Sequence, residues 1–186
     1  MPLARNEAMN SNSGDTFVYS SPNPEEATFG VSTLKYLGHE EGGTRYYDSD
    51  VIMMRYADVL LMMAECENGL GGSCAPWINQ VRQRAYGKNY AGNEYVDGDY
   101  AANELAILKE RDKEFVAEGK RWFDLRRMHD ANKQPLVFSA AASYPKVYGA
   151  EATPILDKAT ESHKLLWPID VSTRTVNPEI EQTVGY

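Results

Sequence analysis

Glu110, Glu114 and Glu118 recur at steps of four, so they fall on one face of any helix that carries them. Arg111 and Arg121 flank them, and Asp124, Arg126 and Arg127 follow. Carboxylates and guanidinium forks at this density suit a buried or half-buried ion-pair lattice. Such a lattice fixes geometry more than it adds stability. On this reading Glu110, Glu114, Glu118, Arg121 and Asp124 are structural. Glu114 and Glu118 are also two carboxylates of the kind glycoside hydrolysis needs. Their spacing is generic for a helix, however, and the neighbouring arginines keep both ionised where a general acid needs a raised pKa.

A second chemistry lies in the aromatics. Twelve of the 186 residues are tyrosine, and many fall in segments with no apolar period: Tyr46, Tyr47, Tyr90, Tyr95, Tyr100, Tyr144 and Tyr148. A phenol ring stacks on the apolar face of a sugar while its hydroxyl bonds a sugar hydroxyl. The plainer role is to pin loops onto the body. As a set, Tyr90, Tyr95, Tyr144 and Tyr148 are candidate ligand contacts. Asn89, Asn93 and Asp97 supply hydrogen-bond partners beside the first two, and the glycines of the Gly87 to Tyr100 loop permit close backbone approach.

Other chemistry is thin. His39, His129 and His163 match no metal spacing. Glu94, Asp97, Asp99 and Glu104 can offer oxygens to calcium but lack the twelve-residue EF-hand pattern, so a solvated acidic loop is the ordinary reading and no cofactor is expected. Cys66 and Cys74 are not a disulfide scaffold. They read as two reduced thiols, with a local bridge as the alternative in an exported protein. No Ser/Cys–His arrangement, phosphate loop or dinucleotide fingerprint appears.

These groups need elements to hold them. The spacing of Ile52, Tyr56, Val59, Leu60, Met63 and Cys66 predicts a helix from about Val51 to Gly69, capped by Asp50 and ended by glycines. A second helix spans about Ala75 to Tyr86, with Ile78, Val81 and Ala85 inward and Pro76 in its first turn. A third runs from about Ala101 to Glu118 on Leu105, Leu108, Phe115 and Val116, until Gly119 breaks it. A fourth runs from about Lys120 to Asn132, with Trp122 and Phe123 filling the space between two helical hairpins. Thr28 to Leu37 reads as a short strand. Met1 to Glu26, His39 to Asp50 and the tail from Lys133 read as loop, apart from the apolar stretch Leu165 to Ile169. Trp122 and Trp167 read as core.

Composition narrows the classes. Nineteen basic against twenty-seven acidic residues give a net charge of −8, which opposes phosphate backbones and anionic membranes; nucleic acid is not an expected partner. No apolar run approaches the roughly 18 to 20 residues that span a bilayer. Met1 to Thr16 is polar, with no signal-peptide core, which points to a cytoplasmic protein or to a natural N-terminus lying further upstream.

Four stretches together resemble the SusD/RagB family: RYADVLLMMAEC (Arg55 to Cys66), INQVRQRAYG (Ile78 to Gly87), LKERDKEFVAEGKRWFDLRRM (Leu108 to Met128), and the ending LLWPID through NPEIEQTVGY. All four occur in the family's order. The resemblance covers about Lys35 to Tyr186. Asp112 stands where the family usually has arginine, Thr183-Val184 replace Asn-Pro, and Lys133 to Lys164 matches nothing in the pattern. The resemblance implies a mostly α fold of TPR-like helical hairpins with long irregular loops. Residues 1–34 would be the loop-rich edge of a truncated domain and residues 35–186 its C-terminal helical part. It also implies non-enzymatic glycan binding at the bacterial outer surface by a lipoprotein whose anchor lies outside this chain. The glycan would pass to a SusC-like TonB-dependent transporter, with the helical face meeting partner protein and the loops meeting ligand. The rival reading is a TPR-like scaffold that binds only protein; a hydrolase is the third.

Overall fold

Alternation of helix-period segments with glycine-rich breaks yields a mostly α protein of helical hairpins with long irregular connections. The computed structural model describes residues 7–9, 16–18, 35–36, 38–145 and 150–186. Two short antiparallel hairpins come first: β1 (Glu7–Met9) with β2 (Thr16–Val18), and β3 (His39–Glu41) with β4 (Thr44–Tyr46). Both lie where the sequence reads as loop. The strand expected over Thr28 to Leu37 falls mostly outside the described residues, and Lys35 and Tyr36 form a turn.

The helices are α1 (Tyr56–Leu70), α2 (Ala75–Tyr86), α3 (Tyr100–Glu114) and α4 (Arg121–Arg127), followed by the short α5 (Lys158–Glu161) and α6 (Val171–Val176). α1 begins five residues later than its apolar period suggests. Arg55 is its extended N-cap, without a side-chain cap, so Asp50 does not cap it. Gly71 closes it in the left-handed conformation at φ 75°, its N–H reaching the last carbonyls. Pro76 sits in the first turn of α2, where its missing N–H costs nothing. α5 and α6 occupy a tail expected to be irregular, each started by an aspartate cap, Asp157 and Asp170.

α1 packs on α2 and α3, and α3 on α4. The core joins Leu60, Leu61 and Ala64 of α1, Ile78 and Val81 of α2, Ile107 and Leu108 of α3, and Leu125 of α4. Leu136, Val137, Ala142 and Leu156 complete it from the segment after α4, where Ile155 and Leu156 donate backbone hydrogen bonds to the Val137 carbonyl.

Several inward assignments change. Tyr56, Val59 and Met63 face outward; Asp58, Leu61, Ala64 and Asn68 form the inner face instead. Ala85 is exposed at the end of α2. Val116 is exposed, and Ile107 takes the inner place on α3. Phe123 is 62% exposed and fills no interior space. Trp122 packs against the core, while Trp167 is 70% exposed, its ring meeting Trp122 edge-on at 6.3 Å. Both cysteines are free thiols, Cys66 exposed and Cys74 buried.

Candidate functional site

The acidic and basic residues after Leu108 form two lattices that share an aromatic hub. α3 ends at Glu114. A tight turn follows, with Ala117 at φ 64° and Gly119 at φ 71°. This turn, and not helical periodicity, brings Glu118 back beside Glu114. Both carboxylates converge on Arg55, the residue that starts α1. Arg55 Nη2 lies 2.9 Å from Glu118, its Nη1 pairs with Glu114, and Lys35 Nζ lies 2.6 Å from Glu118. Arg84 of α2 also pairs with Glu114, and Arg82 holds Glu110 at 2.9 Å. Burial works against the Glu118 carboxylate, but the bonds and charges of Arg55 and Lys35 outweigh it and hold its pKa below the usual range.

In the second lattice Arg111 stands between two buried aspartates. Its Nε lies 2.8 Å from Asp124 and its Nη1 2.9 Å from Asp58. Lys120 reaches the other Asp58 oxygen at 2.5 Å, and Arg127 bonds Asp124 at 3.0 Å and pairs with Glu65. Burial pushes Asp58 up; the bond from Lys120 and the charge of Arg111 more than reverse this, and its pKa falls. Phe115 lies between the lattices, with Arg55 at 4.5 Å and Arg111 at 4.9 Å from its ring centroid. Arg121 leaves these clusters. It pairs with Asp112, donates to the Ala142 carbonyl at 2.7 Å and lies 4.9 Å from the Tyr144 ring centroid. The departure at Asp112 thus has a local partner.

This geometry is poor for general acid catalysis. Glu114 and Glu118 share one guanidinium, and the Glu118 side chain has no exposed surface. The lattice arginines come from α1, α2, α3 and α4, so the network ties the helices to one another.

The loop between α2 and α3 holds four of the candidate contacts. Asp97 accepts bonds from the Cys74 and Ala75 N–H groups at 3.1 and 3.0 Å, from the Cys74 thiol, and from the Ser73 hydroxyl at 2.5 Å. It therefore supplies from a distance the cap that α2 lacks locally. Burial and Asp97 together push the Cys74 thiol up to about 12. Tyr95 is partly buried. Its hydroxyl donates to Asn103 at 2.6 Å, and Arg82 lies 5.4 Å from its ring centroid. Asn93 is exposed and turns its amide back to the Asn89 carbonyl at 2.9 Å. Tyr90 is half-buried, and among the described residues its hydroxyl has no partner. Tyr144 is 56% exposed, with its hydroxyl 3.0 Å from Asp112, and burial and that carboxylate raise its pKa to about 12. Tyr148 lies outside the described residues.

The acidic residues named for calcium do not converge. Glu94 accepts from the Gly92 N–H, Asp97 caps α2, Asp99 caps α3 and Glu104 turns inward to Asn68. Among the described residues no three His, Cys, Asp or Glu side chains gather as a metal site. Two surface depressions exist elsewhere: about 590 Å³ between α1 and α2, lined by Tyr56, Gln80 and Arg84 among others, and about 340 Å³ over Asp58, Arg111 and Phe123. Neither borders the α2–α3 loop.

Glu104 is the buried group that sequence reasoning missed except as a calcium ligand. It lies in an amide cluster: Asn68 donates to it at 2.9 Å, and Asn103 donates to Asn68 at 3.0 Å. Burial is the main cause of its raised pKa; the Glu65 charge adds to it, and Asn68 and Arg127 work against it. A carboxyl with a raised folded pKa contributes stability that is full below the unfolded pKa and is lost as pH rises through the folded one. Glu104→Gln is therefore expected to be more stable than the parent at neutral pH, with the gap closing as the medium is acidified. Urea unfolding across that range checks this; a gap that widens on acidification contradicts it.

Comparison with known proteins places this arrangement. A model of the SusD family matches residues 5–186. The chain is 30% identical over 145 residues to the SusD-like protein P38 of Formosa agariphila, covering 75% of this chain and 25% of that protein. A solved SusD superfamily protein from Bacteroides fragilis is 39% identical with a TM-score of 0.73, over 97% of this chain and 35% of its own. Another from Bacteroides vulgatus is 32% identical with a TM-score of 0.54, over 81% of this chain and 32% of its own. The chain spans about a quarter of the curated relative and about a third of each solved one.

Proposed function

The chain belongs to the SusD family, and from that premise we propose that it is the C-terminal helical part of a surface glycan-binding protein. The whole protein retains an oligosaccharide at the outer membrane of a Bacteroidetes-type cell and passes it, uncut, to a SusC-like TonB-dependent transporter. The family match across residues 5–186 is the observation that carries this reading. On this reading residues 35–186 form the helical domain; residues 1–34, read from the sequence as a loop-rich edge, lie mostly outside the described residues. Among the described residues no helix is long and apolar enough to cross a membrane; the mode of attachment proposed here, a lipid anchor, rests on the family resemblance.

The lattice of Glu110, Glu114, Glu118 and Asp124 around Arg55, Arg82 and Arg111 sets the scaffold, and Arg121, outside it, ties Asp112 to the Ala142 carbonyl. The ligand meets the loops, chiefly Tyr90 and Asn93 of the α2–α3 loop, together with Tyr144 and Tyr148. Tyr95 and Asp97 shape that loop from beneath, because their polar atoms are bonded to Asn103 and to the start of α2. A neutral sugar suits a chain of net charge −8. Titration with a panel of plant, host and bacterial oligosaccharides tests the reading. Tyr90→Ala and Tyr144→Ala are each expected to lose about 1 kcal/mol of binding, or about fivefold in Kd, and retained glycan is expected to be recovered at its original length. Unchanged affinity in both variants places the site elsewhere. A protein that captures transporter but no glycan is the scaffold that the rival reading describes.

A further inference from the structure

Tyr144 is tied down at its hydroxyl and beneath its ring. The hydroxyl donates to Asp112 of α3 at 3.0 Å, and the ring lies over the guanidinium of Arg121, 4.9 Å from the centroid. Arg121 is the first residue of α4 and is itself fixed, with Nη1 paired to Asp112 and Nη2 donating to the Ala142 carbonyl at 2.7 Å. Ala142 ends a 3₁₀ turn, Ala140–Ala142, that packs on α3. Three elements therefore converge on one ring, yet 56% of Tyr144 remains exposed. A cation covers the inner face, and the outer face is open.

The arrangement depends on Asp112. Its side chain is 9% exposed, and Oδ2 takes the bonds of both Arg121 and Tyr144. Oδ1 is enclosed and has no donor among the described residues. A buried carboxylate short of donors holds the ones it has, because losing either leaves charge unpaired in the interior. The phenol proton is therefore committed inward, in keeping with the rise of the Tyr144 pKa to about 12 by burial and by Asp112. What the phenol oxygen can still offer a ligand is a lone pair.

We propose that Asp112 is a positioning residue for ligand binding: it fixes Tyr144 as a one-sided platform for a neutral sugar, which lays an apolar ring face on the tyrosine and donates a hydroxyl to the phenol oxygen. This rests on the glycan reading and narrows it. Stacking on a ring that is already immobile avoids the ordering cost that a free side chain adds to binding. Because Arg121 covers the inner face, the ring serves one sugar unit and is not sandwiched between two. An ionised sugar acid gains nothing at this point. A carboxylate has no proton for the phenol oxygen, and the Arg121 charge is already engaged by Asp112.

Titration calorimetry tests this with neutral gluco-, manno-, xylo- and galacto-oligosaccharides, and with oligogalacturonate as the acidic probe. The proteins compared are the parent, Asp112→Ala, Tyr144→Ala and the double variant, with circular dichroism as the check that each is folded. Asp112→Ala is expected to weaken binding of the neutral ligand about threefold. In the Tyr144→Ala background it is expected to change nothing further, because it acts through the ring. Asp112→Asn keeps an acceptor for the phenol and is expected to bind within about twofold of the parent. Tyr144→Phe keeps the ring, removes the tie and leaves the carboxylate in place; its loss is expected to be at least that of Asp112→Ala. An equal loss from Asp112→Ala in both backgrounds makes Asp112 merely structural and overturns the proposal. So does an Asp112→Ala or a Tyr144→Phe that binds like the parent, or oligogalacturonate bound as tightly as the neutral ligand with the same dependence on Tyr144. A parent that retains none of the probes removes the glycan reading itself, and this subsite with it.

Discussion

Replacing Arg111 with alanine is expected to lower stability by about 3–5 kcal/mol, the range for breaking a buried ion pair by removing one partner. The Arg111 side chain is 4% exposed and stands between Asp58 and Asp124, themselves 5% and 4% exposed. Its loss leaves Asp58 with Lys120 and Asp124 with Arg127, each at the edge of the lattice, and opens a gap against Phe115. The cost is thus mainly that of two carboxylates left short of hydrogen bonds in the interior. Arg121→Ala is the comparison, because Arg121 is 32% exposed and bonds Asp112 at the margin; its effect is expected to be smaller. Urea unfolding followed by circular dichroism gives both values. An Arg111→Ala loss no larger than that of Arg121→Ala contradicts the assignment of Arg111 as the centre of the lattice.

Asp97→Ala is expected to cost about 1–2 kcal/mol, the range for removing a helix N-cap, and to loosen the loop that carries Tyr90. One carboxylate there bonds two backbone N–H groups, a hydroxyl and a thiol. Without it the start of α2 is uncapped and the loop loses its tie to Ser73 and Cys74. Burial and Asp97 are what raise the Cys74 thiol, so the variant also exposes that thiol to alkylation at a pH where the parent resists. Alkylation kinetics beside thermal unfolding separate this from a simple surface effect. A variant that melts like the parent and keeps Cys74 inert removes Asp97 from its capping role.

The helices were legible in the sequence because their apolar residues keep a period close to that of the backbone. Which face of α1 turns inward was not. Periodicity marks Tyr56, Val59 and Met63 as a stripe, but the stripe points to water, and the inner face carries Asp58 and Asn68. Buried polar residues look like surface until their partners are known, and those partners lie far along the chain in Arg111, Asn103 and Glu104. The same limit hid Arg55 as the cation shared by Glu114 and Glu118. Leu136, Val137, Ala142 and Leu156 went unread because they enter the core from short 3₁₀ turns and irregular chain, which have no long period. In the α2–α3 loop, residue types pointed to hydrogen bonding, but not to whether ligand or protein receives it. Tyr95 and Asp97 spend theirs internally.

The bridges of the lattice also carry an expectation for the order of folding. Arg55 and Glu118 are 63 residues apart in sequence, and Arg127 and Glu65 are 62 apart. The α1–α2 hairpin closes through a short connection and can form while the rest of the chain is still searching. Closing a loop of some sixty residues costs chain entropy before any contact rewards it, so the ion pairs are expected to form no earlier than the docking of the hairpins. Interactions that form after the transition state govern how slowly a protein comes apart more than how fast it assembles, so Arg55→Ala is expected to speed unfolding more than it slows folding. On the proposed reading of a domain held at a cell surface, where an unfolded chain has no ready route to rescue, slow disassembly is the property such a network would supply.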